Sequence, residues 1–440
     1  MTWPSLLSAQ RFSDKSGNVT HDKNRSRFEQ DYDRIIFSQP FRRLQDKTQV
    51  FPLPEDDFVH TRLTHSLEVS SVGRSLGKNA GLFLLDKYPE LKEAFSVQDF
   101  GSIVASACLA HDLGNPPFGH SGEEGISSFF RHSANGQSLK ELVTPNQWLD
   151  LSQFEGNAQG FRILNNPAYR GVELTFATLG AFTKYPLASS SAKIEGRKSQ
   201  KKYGFFQSDK EKFSTMASQM GLISLGENAW CRHPLAFLVE AADDICYTII
   251  DLEDGCRLGL VSFATYKELL APIIGADFDE AKLKRMNSSD EKLGILRAMA
   301  ISQLVQECSG VFKDHEASLR RADFDKALTD VIPAAKTLEA ISSLSVRDIY
   351  RSRRVLEKEA GGYEVINKLM DAFCMAAIHQ AHGQMTGRDK TVMRLLPEVY
   401  QNGLQAPNIT TYQILQIITD YISSLTDRYA IKLYKIVYGL

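Results

Sequence analysis

A helix that cannot continue is the tightest constraint in this chain. From Ser102 to Leu113 small and apolar residues, IVASACLAHDL, read as a buried helix, and Gly114-Asn115-Pro116-Pro117 stops it. His111 and Asp112 stand side by side at that stop. An ionised aspartate at the end of a buried helix is costly unless it is paired or bound to a metal. The fold must therefore build a polar centre where this helix ends.

Further helices surround it. Thr61 to Leu76 sets His65, Val69, Val72 and Leu76 on one stripe. Pro234 to Asp254 is a second long apolar helix; Pro234 suits its first turn and Gly255 the place of a C-terminal cap. Asp290–Glu307, Arg347–Lys358, Tyr363–Gln380 and Tyr412–Val437 continue the helical pattern. Strand-like alternation is scarce, with room for a short hairpin near Val50–Phe58 or Gly204–Phe206. The expected class is all-α. The 440 residues suffice for one elaborate domain or two.

Composition narrows the function classes. A formal net charge of −2 does not fit a general nucleic-acid binder, so any anion site is a local cluster. Six cysteines form no CxxC pair, which argues against a thiolate zinc site and fits a reducing cytosol. The start, MTWPSLLSAQ, has no cationic n-region of a secretory signal, and no apolar stretch is long enough for a bilayer. The stretch 188–212 carries Lys193, Arg197, Lys198, Lys201, Lys202, Lys210 and Lys212 against Glu195, Asp209 and Glu211. Such a run is ordinarily a solvated surface loop. Tyr203, Phe205 and Phe206 around Gly204 point instead to a loop that folds onto something.

Four of the ten histidines fall between His60 and His120. His65 lies on an inward stripe, and Asp243 lies mid-way along an apolar helix, where a carboxylate needs a reason. A lone His-Asp pair is ordinarily a helix-end ion pair. The inward histidine upstream, the Gly-Asn-Pro-Pro stop and the distant Asp243 together indicate a metal. His65, His111, Asp112 and Asp243 suit one divalent ion with open water positions: Mn, Fe, Co, Ni or Zn, or Mg where phosphate oxygens help. Asp244 competes with Asp243. Tyr247 and Asp251 follow Asp243 on one helix face over roughly 12 Å at 1.5 Å per residue, and Asp244 has no such companions.

At these residues the chain resembles the deoxynucleoside triphosphate triphosphohydrolases, the dGTPase-like branch of the HD superfamily. The matching segments are FRRLQDKTQVF (Phe41–Phe51), TRLTHSLEV (Thr61–Val69), AHDLGNPPFGHSGE (Ala110–Glu123), FEGNAQGFRIL (Phe154–Leu164), TLGAFTKYP (Thr178–Pro186) and DYISSLTDRYA (Asp420–Ala430). The resemblance implies water attack on the α-phosphorus of a dNTP, releasing deoxynucleoside and intact triphosphate. It implies an HD helical core over 60–255 with a helical C-terminal region, 256–440, packed on it and on oligomer interfaces. It also implies one divalent metal per active site, Mn2+ or Mg2+ for activity, and a cytoplasmic homo-oligomer, often a hexamer or tetramer.

The same resemblance assigns roles. His120 and Glu123 correspond to a catalytic dyad, in which the carboxylate holds the imidazole protonated for donation to the leaving 5′-oxygen; positioning of water or a phosphate contact are the other readings of His120. Arg62, Lys184, Tyr185 and Lys202 correspond to phosphate contacts. Asn157 faces the metal, water and phosphate region. Gln49 and Val50 correspond to positions meeting sugar and base, and Tyr247 and Asp251 to positions meeting the deoxyribose. Arg428 could reach a neighbouring subunit's pocket. Two rivals stand: an HD-type phosphomonoesterase or phosphodiesterase, and a single-stranded nucleic-acid-binding regulatory protein that would use Lys198, Lys201 and Lys202. An activating nucleotide at a second site is a further expectation left open.

Overall fold

The computed structural model describes residues 1–14, 25–50, 60–166 and 172–440. They are predominantly helical, as expected. The one sheet among the described residues is a hairpin, β1 (Ser224–Gly226) and β2 (Ala229–Trp230). The helices that frame the polar centre are α1 (Arg62–Lys87), α2 (Val97–Ala110), α3 (His120–His132), α4 (Pro145–Ser152), α5 (Gly156–Asn165), α6 (Ala236–Arg257), α7 (Arg353–Ala381), α8 (Thr411–Ser423) and α9 (Asp427–Tyr438).

The start of α1 is set locally. Thr61 Oγ1 accepts from the Thr64 amide while Thr64 Oγ1 accepts from the Thr61 amide, a reciprocal cap that satisfies two helix-end donors. It puts Arg62 and His65 in the first turn. Glycines on α1 then allow a very close approach to α2. Gly73 lies against Cys108, Gly77 against the Phe100–Gly101 backbone and Gly81 against the Phe100 ring. A Cβ at Gly77 would stand 2.6 Å from the Phe100 carbonyl oxygen. The descending order of partners makes the pair antiparallel, so the first turn of α1 meets the last turn of α2. The His65 and His111 rings accordingly sit 5.3 Å apart, centroid to centroid.

α6 enters beside them. Its N-terminus is held by buried His233, whose Nδ1 accepts from the Leu235 amide at 3.0 Å and whose Nε2 donates to the Leu6 carbonyl at 3.0 Å. Both nitrogens are used only by the neutral ring, and burial pushes its pKa down from 6.5 to about 4. Within that window the unfolded chain binds a proton that the fold excludes. Stability therefore falls on acidification from pH 6.5 towards 4, by up to about 3 kcal/mol. Urea midpoints measured across this range should slope less in His233→Gln than in wild type; equal slopes would remove His233 from the account.

Two buried apolar clusters form. One joins α1, α2 and α6 through residues such as Leu76, Phe100 and Ile249. The other joins α3, α7 and α8 through residues such as Phe129, Phe373 and Ile418. The cleft described below is lined from both, by Phe182, Val239 and Val355 of the first and Phe118 and Tyr185 of the second.

Several expected boundaries are corrected. Gly255 does not cap α6, which runs on to Arg257; the left-handed residue is Gly259, φ 73°. Gly255 is instead a packing glycine, because Ile349 occupies the space its Cβ would need. The expected Arg347–Lys358 helix is broken: a wide turn over Ser345–Tyr350 ends at Arg351, and extended Ser352 precedes α7. Tyr412–Val437 is two helices, because Thr426 caps α9 by accepting from the Tyr429 amide. No hairpin forms at Gly204–Phe206, where a lone bridge joins Phe205 to Ala188. Gly204 there serves a close approach to the Tyr185 backbone. The hairpin forms at 224–230, with Asn228 at φ 55° in its turn. The hairpin expected near Val50–Phe58 lies, beyond Val50 itself, outside the described residues.

Candidate metal centre and active-site cleft

His65 Nε2 lies 3.2 Å and His111 Nε2 3.5 Å from Asp243 Oδ1, and one ligand atom from each residue falls within 4.8 Å of the others. Ligands about 2.1 Å from one ion and at right angles stand about 3 Å apart, so the three fit a single cation. His111 Nδ1 donates to the Cys108 carbonyl at 2.6 Å, which fixes the tautomer and leaves Nε2 for the centre. Asp112 Oδ1 is 3.5 Å from His111 Nε2, beside the three rather than among them. Its other oxygen accepts from Arg62 Nη1 at 2.7 Å, and it also accepts from the Asn115 amide.

Both carboxylates are held ionised. Burial works to raise Asp243, but His111, the bond from His65 and Lys184 bring it below the usual carboxylate range. Burial likewise works against Asp112, and Arg62, His111 and His65 outweigh it. Asp244 is different. It accepts from the Thr329 hydroxyl at 2.7 Å, outside this group, and burial pushes it up to about 6.

Above the centre opens a cleft of about 430 Å³. His111, Asp112 and Asp243 form its floor, with His65 buried beneath. Gln49, Val50, Arg62, Asn157, Lys184, Tyr185, Lys202 and Tyr247 line its walls, and His120 and Glu123 its rim. Thus the expected residues converge, with one exception. Asp251 is buried under Tyr350, whose hydroxyl donates to it at 2.7 Å; burial pushes Asp251 up to about 8. Tyr350 itself lines the cleft and stacks on Tyr247 at 5.6 Å.

The rim is a strained turn. Phe118 (φ 62°) and Gly119 (φ 58°) both take positive φ before α3 begins at His120, a conformation that costs a non-glycine residue such as Phe118. A Cβ on Gly119 would stand 2.9 Å from Arg62 Nη2, so glycine leaves room for the guanidinium. One turn on, Glu123 Oε2 accepts from His120 Nδ1 at 2.9 Å while Oε1 accepts from the Gly156 amide at 2.9 Å. Burial opposes the Glu123 charge, but His120 and Lys202 keep its pKa below normal. The pinned ring presents Nε2, and its side chain is 87% exposed at the rim.

The cations are organised by carboxylates that sequence reasoning did not single out. Glu240, one turn before Asp243 on α6, holds Lys184 at 3.4 Å and Arg232 at 2.7 Å. Burial opposes the Lys184 charge, yet Glu240 and Asp244 raise its pKa, so it stays an ammonium. Glu155 accepts from Asn157 Nδ2 at 2.7 Å and from Lys202 at 3.1 Å. Asp427, first residue of α9, accepts from the Thr48 amide and the Phe118 amide, both at 3.0 Å, and so ties two cleft walls together. Glu240 shares a helix face with Asp243, and Glu155 lies in the FEGNAQ segment, so both carried a local signal. Tyr350 carried none.

In the basic segment, Lys198 pairs with Asp330 at 2.9 Å and Lys193 donates to the Lys201 carbonyl at 3.0 Å. Arg428 pairs with Asp46 at 3.2 Å, away from the cleft. No helix among the described residues is long and apolar enough to cross a membrane.

Comparison with known proteins agrees with this geometry. The HD domain family matches residues 62–145 and the phosphohydrolase-associated domain residues 333–436. A deoxyguanosinetriphosphate triphosphohydrolase-like protein of Synechocystis is 40% identical, covering 100% of both chains. One of Pseudomonas aeruginosa is 38% identical over 98% of this chain and 97% of its own. A deoxyguanosinetriphosphate triphosphohydrolase of Yersinia enterocolitica is 30% identical over 98% and 97%.

Proposed function

Because the chain belongs to the deoxyguanosinetriphosphate triphosphohydrolase-like family of HD-domain hydrolases, we propose that it hydrolyses dNTPs at the α-phosphorus. Water adds to that phosphorus, the bond to the 5′-oxygen breaks, and deoxynucleoside and tripolyphosphate leave. One observation carries this reading: a single cleft joins ligands suited to a divalent cation with Arg62, Lys184 and Lys202. A phosphomonoester would not need that spread of cations.

His65, His111 and Asp243, with Asp112 beside them, would hold the cation, Mn2+ or Mg2+ for activity and one per site. When bound it supplies Lewis-acid polarisation of phosphate oxygen and a more acidic water. The rest falls to the chain. Arg62, Lys184 and Lys202 neutralise the triphosphate, and Tyr185 and Asn157 add hydrogen bonds to its oxygens. His120, fixed by Glu123, delivers a proton to the 5′-oxygen as it leaves. Gln49 bonds the 3′-hydroxyl, and Val50 and Tyr247 crowd the 2′-position against ribose. Asp251, expected at the deoxyribose, is held beside Tyr247 by the Tyr350 hydroxyl.

The HD core over 60–255 and the C-terminal region packed on it form one catalytic unit in this reading. A cytoplasmic homo-oligomer, hexamer or tetramer, belongs to this proposal; exposed Ile436 and Leu440 are apolar surface that a contact between copies would cover. The test is chromatography of products from each dNTP with Mn2+ or Mg2+, singly and in mixtures. Deoxynucleoside with tripolyphosphate is expected. Inorganic phosphate or a nucleoside monophosphate would refute the reading, and faster turnover in mixtures would reveal an activating nucleotide.

A further inference from the structure

The basic segment is strapped down at both ends by one carboxylate. Asp150 on α4 is 2% exposed. It accepts from the Ser189 hydroxyl near one end of the segment and from the Gln207 amide near the other, the latter at 2.8 Å. The Tyr412 hydroxyl of α8 donates to the same group. Between the anchors, the Tyr203 hydroxyl donates to the Gln153 carbonyl at 2.7 Å, and the side chains of Tyr203, Phe205 and Phe206 are buried. Further out, Ser199 donates to Asp325 through its amide at 3.1 Å and its hydroxyl at 3.0 Å. A segment held this way delivers Lys202 to Glu155 at the cleft wall.

We infer that Asp150 is a positioning residue that holds both ends of the 189–207 strap and so sets Lys202 for the triphosphate. Asp150 does not line the cleft; it acts through the strap. The inference rests on the reading of the cleft as a triphosphate site. Without the carboxylate, the part-buried Ser189 hydroxyl and Gln207 amide at the two anchors lose their shared acceptor, which frees the strap more than it loosens the core.

The test uses the full-length, Mn2+-loaded enzyme with two readouts: amide exchange over residues 199–207 and inhibition by tripolyphosphate. Asp150→Asn keeps one acceptor oxygen but turns an NH2 towards the other anchor, and should speed exchange there about tenfold and raise the tripolyphosphate Ki about tenfold, with kcat changed less than about threefold. Lys202→Ala should raise Ki similarly, and the double variant no more than the larger single. Tyr412→Phe removes a donor from the same carboxylate but keeps both anchors, so exchange and Ki should stay near wild type. Ser189→Ala releases one anchor and should give a smaller rise in exchange, a check that survives poor folding of Asp150→Asn. Unchanged exchange in the folded Asp150 variant, or Ki effects that multiply in the double, would overturn the strap. An unchanged Ki in Lys202→Ala would overturn its role in the grip; the product analysis, measured separately, would still decide the reaction.

Discussion

Asp243→Asn is expected to lower kcat at least about 10³-fold, some 4 kcal/mol of transition-state stabilisation, and to strip the bound cation. The carboxylate is the shared neighbour of both imidazoles, 3.2 Å from His65 and 3.5 Å from His111, so no other group among the described residues substitutes for it. An amide keeps the volume and the packing on α6 but supplies a poorer ligand. Asp244→Asn is the matched control. Its carboxylate bonds Thr329 outside the centre, and turnover should fall by less than about tenfold, within the range of an ordinary lost hydrogen bond. Metal content by mass spectrometry and steady-state rates at saturating Mn2+ check both variants. Equal losses in the two would undo the choice of Asp243.

The second large effect belongs to the rim. His120→Gln should reduce kcat by about 10²–10⁴-fold with KM little changed, as expected for a group used mainly in proton transfer. Glu123→Gln should fall between that variant and wild type. Its amide oxygen can still accept from the Gly156 amide, but the ion pair with His120 is gone. A leaving group that needs no proton separates the roles. With p-nitrophenyl triphosphate, in which p-nitrophenolate takes the place of the 5′-oxygen as leaving group, His120→Gln should lose far less; an equal loss would instead assign His120 to phosphate binding or water positioning.

Much of this was legible in the sequence where chemistry and helix periodicity coincide. His65, His111 and Asp243 each sit at a place where a polar group on an apolar helix demands a partner, and the structure brings them together. The choice of Asp243 over Asp244 followed from one helix face, and the Thr329 bond agrees with it. What covers Asp251 was not legible, because periodicity gives a face but not what packs upon it. Tyr350 fills that space, arriving from a wide turn about one hundred residues later in sequence, a contact no local pattern encodes. The Gly255 cap failed for a related reason: glycine serves close packing as readily as helix ends, and only the Ile349 contact distinguishes them. Asp427 and Asp150 were invisible as well, since each works by bonding segments far apart in the chain.

Hydrolysis in ¹⁸O-labelled water, followed by mass spectrometry of every product, tests the central claim most directly. Attack at the α-phosphorus predicts one ¹⁸O atom in tripolyphosphate and none in the deoxynucleoside. Label in inorganic phosphate, in pyrophosphate or on the deoxynucleoside 5′-oxygen would contradict it.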